Sequence, residues 1–172
     1  LGDLVVEIGN GVEAAGLSNS VIGADVVVLA VPWKAAKDSV MALGDLSGQT
    51  VIDATNPFVK GLNMGVSQDE SGGEFVAGWA IGANVVKALN IVDARLLDGK
   101  KLDGREISIP ICGDDEESKQ IVIRLIAELG FDTVDAGTLS NSILLENLAL
   151  LMIRLSMKKS LGSEIGFRVL RG

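Results

Sequence analysis

Three short stretches of the 172-residue chain combine residue types that could hold a flat ligand: Val31-Pro32-Trp33, Ala54-Thr55-Asn56-Pro57 and Asn90-Ile91-Val92. Each follows an aliphatic run that reads as a β-strand, and each sets a small or rigid residue beside a polar or planar one. Open α/β sheets bind ligands beyond the carboxyl ends of their strands, so a planar ring could lie across these three points. Pro32 and Asn56-Pro57 also read simply as strand stoppers. The chain contains no histidine. That removes Ser-His-Asp hydrolases, Cys-His nucleophiles and every His-ligated metal. A site built from these stretches orients a ligand and supplies no strong acid or base.

Three other features resemble sites and are read otherwise. Gly9-Asn10-Gly11-Val12-Glu13-Ala14 fits the pattern G-x-G-x-x-A. A dinucleotide loop must follow a strand and open a helix. Here Gly16 and Ser18 break any helix before the next aliphatic run, and Val12–Ala15 reads as a short strand, so a phosphate loop is not expected. Asp114, Asp115, Glu116 and Glu117 stand together at a helix start, where the helix dipole favours acids and consecutive side chains diverge. No metal is expected there. Cys112 lies in an apolar run and reads as a small core residue. As the sole cysteine it cannot form an intrachain disulfide, which suits a reducing cytoplasm.

The elements that must position these stretches alternate. Ala24–Val31 reads as a strand buried on both faces, as in a parallel sheet. Residues 34–43 have a helical apolar face, and Thr50–Asp53 is a second buried strand. Residues 60–73 read as loop, 74–81 as helix and 84–89 as strand. A charged excursion over 93–104 has Asp-Gly turns at 98–99 and 103–104. The strand expected over 106–112 contains Pro110, which points to an edge or a bulge. Asp114 or Asp115 should cap a helix over 116–129 with Ile121, Val122, Leu125, Ile126 and Leu129 inward, stopped by Gly130. A strand at 131–135 and a helix from Ser140 or Asn141 to about Lys159, apolar almost all round, complete the pattern. Ser18 is a candidate cap for one early turn. Alternating strands and helices predict an α/β fold with a mostly parallel sheet.

Composition sets the outer limits. The length suits one domain, and 21 glycines with only 3% aromatics suit a Gly-rich, aliphatic α/β domain. A net charge of −8 disfavours nucleic acid as a partner. The longest apolar run, 143–155, is interrupted by Glu146, Asn147 and Arg154, so no membrane span is expected. The first residues carry Asp3 and Glu7 and do not resemble a signal peptide.

Four stretches carry a resemblance to a family: ADVVVLAVPW at 24–33, VIDATNP at 51–57, VVKALN at 85–90, and ICGDDEESKQIV through DAGTLSNSILLENLAL within 111–150. Together they resemble the NADP oxidoreductase, coenzyme F420-dependent family, over essentially the whole chain. The resemblance implies a Rossmann-type doubly wound sheet over 1–135, with a small C-terminal helical part over 136–172 that takes part in a homodimer. It implies hydride transfer between NADP and a deazaflavin, coenzyme F420, or a flavin-like acceptor. Val31, Pro32, Trp33, Thr55 and Asn56 would line the NADP cleft, and Asn90 and Val92 would touch the reacting rings, with no catalytic acid or base. The first strand, the Gly-rich loop and the second strand of the family pattern are expected to be missing ahead of Leu1. Two alternatives stay open: a Rossmann reductase of another small substrate, such as an imine or a ferric chelate, and a non-catalytic fragment that keeps the fold and dimer contacts.

Overall fold

The computed structural model describes every residue except 1, 10, 98–100, 159, 160 and 163. Two short helices open the chain, α1 (Gly2–Ile8) and α2 (Leu17–Ser20), and neither has a buried residue. The alternating part follows as β1 (Val26–Leu29), α3 (Trp33–Leu43), β2 (Thr50–Asp53), a small hairpin of β3 (Phe58–Val59) and β4 (Asn63–Met64), α4 (Gly72–Trp79) and β5 (Asn84–Lys87). A 3-10 turn at Ala94–Leu96 leads to β6 (Ser108–Gly113), α5 (Glu116–Glu128) and β7 (Asp132–Asp135). A second 3-10 turn, Leu139–Asn141, precedes α6 (Ser142–Ser156). The main sheet has the order β1-β2-β5-β6-β7. Only the β5–β6 pair is antiparallel. The α/β expectation holds, with Rossmann-like winding.

The aliphatic β-branched runs become strands because their side chains fill both faces of the central sheet. β2 is buried at every residue, and Val51, Val76 and Val85 join one core cluster. Ile52, Val86, Ile109, Ile111, Val122 and Ile126 form the other. β1 is the edge strand, and Val28 is 55% exposed, so the run that reads as buried on both faces opens to solvent. An uninterrupted aliphatic run therefore did not mean burial on both faces here.

Pro110 is a second departure. It lies in β6, which is an interior strand and carries no bulge. The ladder with β5 reaches only Cys112 and Gly113, and the Ser108 N–H donates to the Phe167 carbonyl of the C-terminal tail. Pro110 falls in the gap between these two contacts, where a missing donor costs no ladder bond.

Other expectations shift locally. Val12–Ala15 is not a strand, and Ser18 lies inside α2, whose N-cap is Gly16. The loop expected over 60–73 contains β4 and the start of α4. Asp115, not Asp114, caps α5, accepting from the Ser118 N–H at 2.8 Å. Leu125 and Leu129 are 37% and 41% exposed, so the buried face of α5 is narrower than the pattern suggested. α6 begins at Ser142, two residues after the first expected cap, because the preceding turn is 3-10. The Asp-Gly turn at 98–99, Lys159 and Asn10 of the glycine motif fall outside the described residues. The stretch Leu139–Ser156 is long and apolar enough, by length and composition alone, to cross a bilayer. In this fold its Glu146 is fully buried in an ion cluster, and Leu145, Ala149 and Met152 pack inward.

Candidate functional site

The carboxyl ends of β2 and β5 are joined by two asparagines. The Asn56 side-chain amide donates to the Asn90 carbonyl at 2.8 Å. The Asn90 amide donates back to Asn56 Oδ1 at 3.0 Å and to the Leu145 carbonyl of α6 at 3.1 Å. This arrangement fixes which end of each amide is nitrogen. It also spends both donors of Asn90 and leaves its Oδ1 buried without a partner among the described residues. Buried polar atoms are nearly always paired, and an orphan costs about 1–3 kcal/mol. The residue just before, Leu89, has φ +63°. A non-glycine left-handed residue costs about 1–2 kcal/mol and is typical of positions where a chain end must be aimed.

Beside this pair lies an open cavity of about 360 Å³. Asn56, Asn90, Asp93 and Ser156 form its polar part, and Ile91, Val92, Ala149, Met152 and Ile153 form apolar walls. Ile165 of the C-terminal tail completes the rim. The structure thus brings Asn56, Asn90 and Val92 together. It does not bring Val31, Pro32, Trp33 or Thr55 to the lining of this cavity. Val31 packs against the core, Pro32 is the exposed N-cap of α3, and the Trp33 ring meets Phe75 and Trp79. Thr55 is buried, and both its N–H and hydroxyl donate to Asp53 Oδ1, at 2.9 Å and 2.7 Å.

Beneath the asparagine pair is an ion cluster that the sequence reading missed. The Lys87 ammonium donates to Asp53 Oδ2 at 2.9 Å and to the Thr55 carbonyl at 2.6 Å, and pairs with Glu146 Oε1 at 2.9 Å. All three charged side chains are fully buried. Glu146 also accepts from the Gly72 and Gly73 N–H groups at the start of α4, at 3.0 and 3.1 Å. A Cβ on Gly72 would stand 2.8 Å from Glu146 Oε1, and one on Gly73 would stand 2.6 Å from Ser142 Oγ. The glycines therefore allow α6 to approach α4. Burial alone would push the Lys87 ammonium down, but Asp53 and Glu146 outweigh it and hold Lys87 above the ordinary lysine value. The available signal was a charge inside a run read as buried: Lys87 in VVKAL, Asp53 closing TVID, Glu146 in an apolar helix.

The remaining candidates have local roles. Asp114 Oδ1 accepts from the Leu139 N–H, Asp115 caps α5, and Glu116 pairs with Lys119 at 2.6 Å. Cys112 is fully buried, and burial pushes its thiol up to about 12. Such a thiol carries no nucleophilic thiolate near neutrality.

The family model for NADP oxidoreductase, coenzyme F420-dependent, matches residues 2–57. The chain is 32% identical over 151 residues to the F420-dependent NADP reductase of Methanocaldococcus jannaschii, covering 82% of this chain and 66% of that protein. It is 29% identical over 117 residues to Metalloreductase STEAP3 of Rattus norvegicus, covering 67% of this chain but only 23% of the relative. A crystal structure of a protein assigned as an F420-dependent NADP-reductase, from Arthrobacter sp. FB24, superposes with a TM-score of 0.83 at 26% identity. That match covers 91% of this chain and 74% of the other. The chain thus spans about a quarter of the metalloreductase and about two thirds of the archaeal reductase. Sequence, fold and family model agree, and the chain belongs to the NADP oxidoreductase, coenzyme F420-dependent family.

Proposed function

We propose that this chain serves an oxidoreductase that moves a hydride between NADP(H) and a flat acceptor, the deazaflavin of coenzyme F420 or a flavin. The observation that supports this reading best is the Asn56–Asn90 pair, locked at a corner of the open cavity at the carboxyl ends of β2 and β5. A flat ring fits that shape: its polar edge meets the asparagine corner, and the aliphatic side chains flank its faces. When bound, the dinucleotide and the acceptor would supply the redox chemistry: a proton with two electrons would pass as hydride, and solvent would supply the second proton of the reduced acceptor.

The chain's own residues bind and orient. Asn90, fixed by Asn56 and Leu145, gives the cavity a rigid neutral polar corner that sets how a ring can lie. Val92 and Met152 wall the cavity. Val31, Pro32 and Trp33 at the end of β1, with Thr55 and Asn56 at the end of β2, form the cleft along which the rest of the dinucleotide runs in this reading. No acid or base among them needs to titrate. Two copies associate through the apolar line that α6 leaves exposed, Leu144 and Leu151, which are 61% and 52% exposed. The lone buried Cys112 suits a cytoplasmic enzyme.

The test is anaerobic stopped-flow oxidation of NADPH with coenzyme F420, with FMN and with a ferric chelate as separate acceptors. Oxidation coupled to F420 or FMN is expected. Reduction of the ferric chelate alone would favour the metalloreductase-like alternative, and bound NADPH that is oxidised by none of the three would refute the reading.

A further inference from the structure

Both tryptophans of the chain, and one of its four phenylalanines, gather outside the Asn90 cavity. Trp33 opens α3, and Phe75 and Trp79 lie on α4. Their ring centroids are 5.4 Å (Trp33 to Trp79), 5.9 Å (Phe75 to Trp79) and 6.5 Å (Trp33 to Phe75) apart, and all three side chains are half-buried. They border an open hollow of about 330 Å³. Its charged rim is Lys34 and Lys37, both exposed and one turn apart on α3.

Folding does not account for these cations. Among the described residues neither lysine makes an ion pair or a side-chain hydrogen bond, and Asp38, one turn on from Lys34, does not pair with it. Lys34 lies in the first turn of α3, where the helix dipole disfavours a positive charge. In a chain of net charge −8, two unpaired ammonium groups beside aromatic faces form a local inversion of charge. Among the described residues no carboxylate lines the hollow. Phe75 also borders an adjoining hollow lined by Asp69, Glu70 and Glu74, where Glu74 accepts from the Ser71 hydroxyl.

We propose that this aromatic shelf binds a flat ring that carries a phosphate: the ring lies on Trp33 and Trp79, and the anion meets Lys34 and Lys37. Aromatic faces accept any planar ring, and ammonium groups hold phosphate as point charges. The inference touches the hydride-transfer reading only at Trp33, which that reading sets in the dinucleotide cleft; Lys34, Lys37, Phe75 and Trp79 belong to no part of it, and none of the residues of the shelf lines the Asn90 cavity. A purine mononucleotide and a flavin mononucleotide share this chemistry, and separate arms of one experiment tell them apart.

Both tryptophans form the shelf, so tryptophan emission reports on it directly. Emission of the chain is titrated with FMN, riboflavin, AMP, adenosine and inorganic phosphate at low salt. FMN and riboflavin share a chromophore, and their difference isolates the phosphate. FMN or AMP is expected to saturate the shelf below about 100 µM, at least about tenfold more tightly than its uncharged counterpart, and to weaken as salt is raised. The double variant Lys34→Gln/Lys37→Gln changes only exposed side chains and should keep its fold by circular dichroism. It should lose about tenfold in affinity for the phosphorylated ligand and stay within about twofold for the uncharged one. The proposal is overturned if neither FMN nor AMP gives saturable quenching, if charged and uncharged ligands bind equally, if the double variant binds unchanged, or if inorganic phosphate displaces the ring at equal concentration.

Discussion

Replacing Lys87 with methionine keeps the length of the side chain and deletes its charge. Asp53 and Glu146 then remain fully buried without their shared cation, and the Thr55 carbonyl loses a 2.6 Å donor. Breaking a buried ion cluster by removing one partner costs about 3–5 kcal/mol, out of a total stability of about 5–15 kcal/mol. The pH dependence carries the sharper signature. In the native chain Lys87 is held above its ordinary value, so its stabilisation is complete below about pH 10.4 and fades only as pH rises through the still higher folded value. Its contribution is therefore flat from pH 5 to 8. Urea unfolding of the native chain and of Lys87→Met at pH 5, 6 and 7 measures the loss and the flatness of the native contribution. A loss below about 1 kcal/mol at pH 7 would refute the view that three mutually dependent charges sit in this core.

Three further outcomes follow from particular contacts. Gly73→Ala sets a Cβ 2.6 Å from Ser142 Oγ and pushes α6 from α4, so urea unfolding should show a loss of about 1–3 kcal/mol, and an unchanged midpoint would contradict that packing. Leu151→Lys places a charge on the 52% exposed apolar line of α6, and sedimentation velocity should show the proposed dimer converted to monomer; a dimer of unchanged affinity would put the interface elsewhere. Cys112, with its thiol pushed up to about 12, should resist a thiol reagent at pH 8 in the folded chain and react on unfolding, and rapid labelling of native protein would contradict its burial.

The sequence made the order of elements legible because aliphatic periodicity and turn residues act locally: β2 runs over Thr50–Asp53 as read, and Gly130 stops α5 with φ +85°. Burial along the strands was less legible, since it depends on what packs against each face. Val28 is exposed in a run that reads as core, and Pro110 sits inside the sheet because β5 is too short to need its donor. The candidate site divides along the same line. Asn56, Asn90 and Val92 meet as strand-end residues of neighbouring strands should, and their neighbourhood follows from parallel pairing. The Asp53–Lys87–Glu146 cluster needs α6 laid over the ends of β2 and β5, 59 residues on from Lys87 (146 − 87), and no local pattern encodes that contact. What the chain displayed was three charges in apolar surroundings, which is the cue that a buried partner exists.

The orientation of the reacting ring by Asn90 is tested most directly by single-turnover stopped-flow of NADPH with coenzyme F420, comparing the native protein with Asn90→Ala across pH. Removing a neutral orienting amide should slow hydride transfer by about 10–100-fold, the equivalent of about 1.4–2.7 kcal/mol of positioning. The pH profile should keep its shape, because no ionising group has been removed. A transfer rate in Asn90→Ala equal to that of the native protein would contradict the account and move the ring away from the ends of β2 and β5.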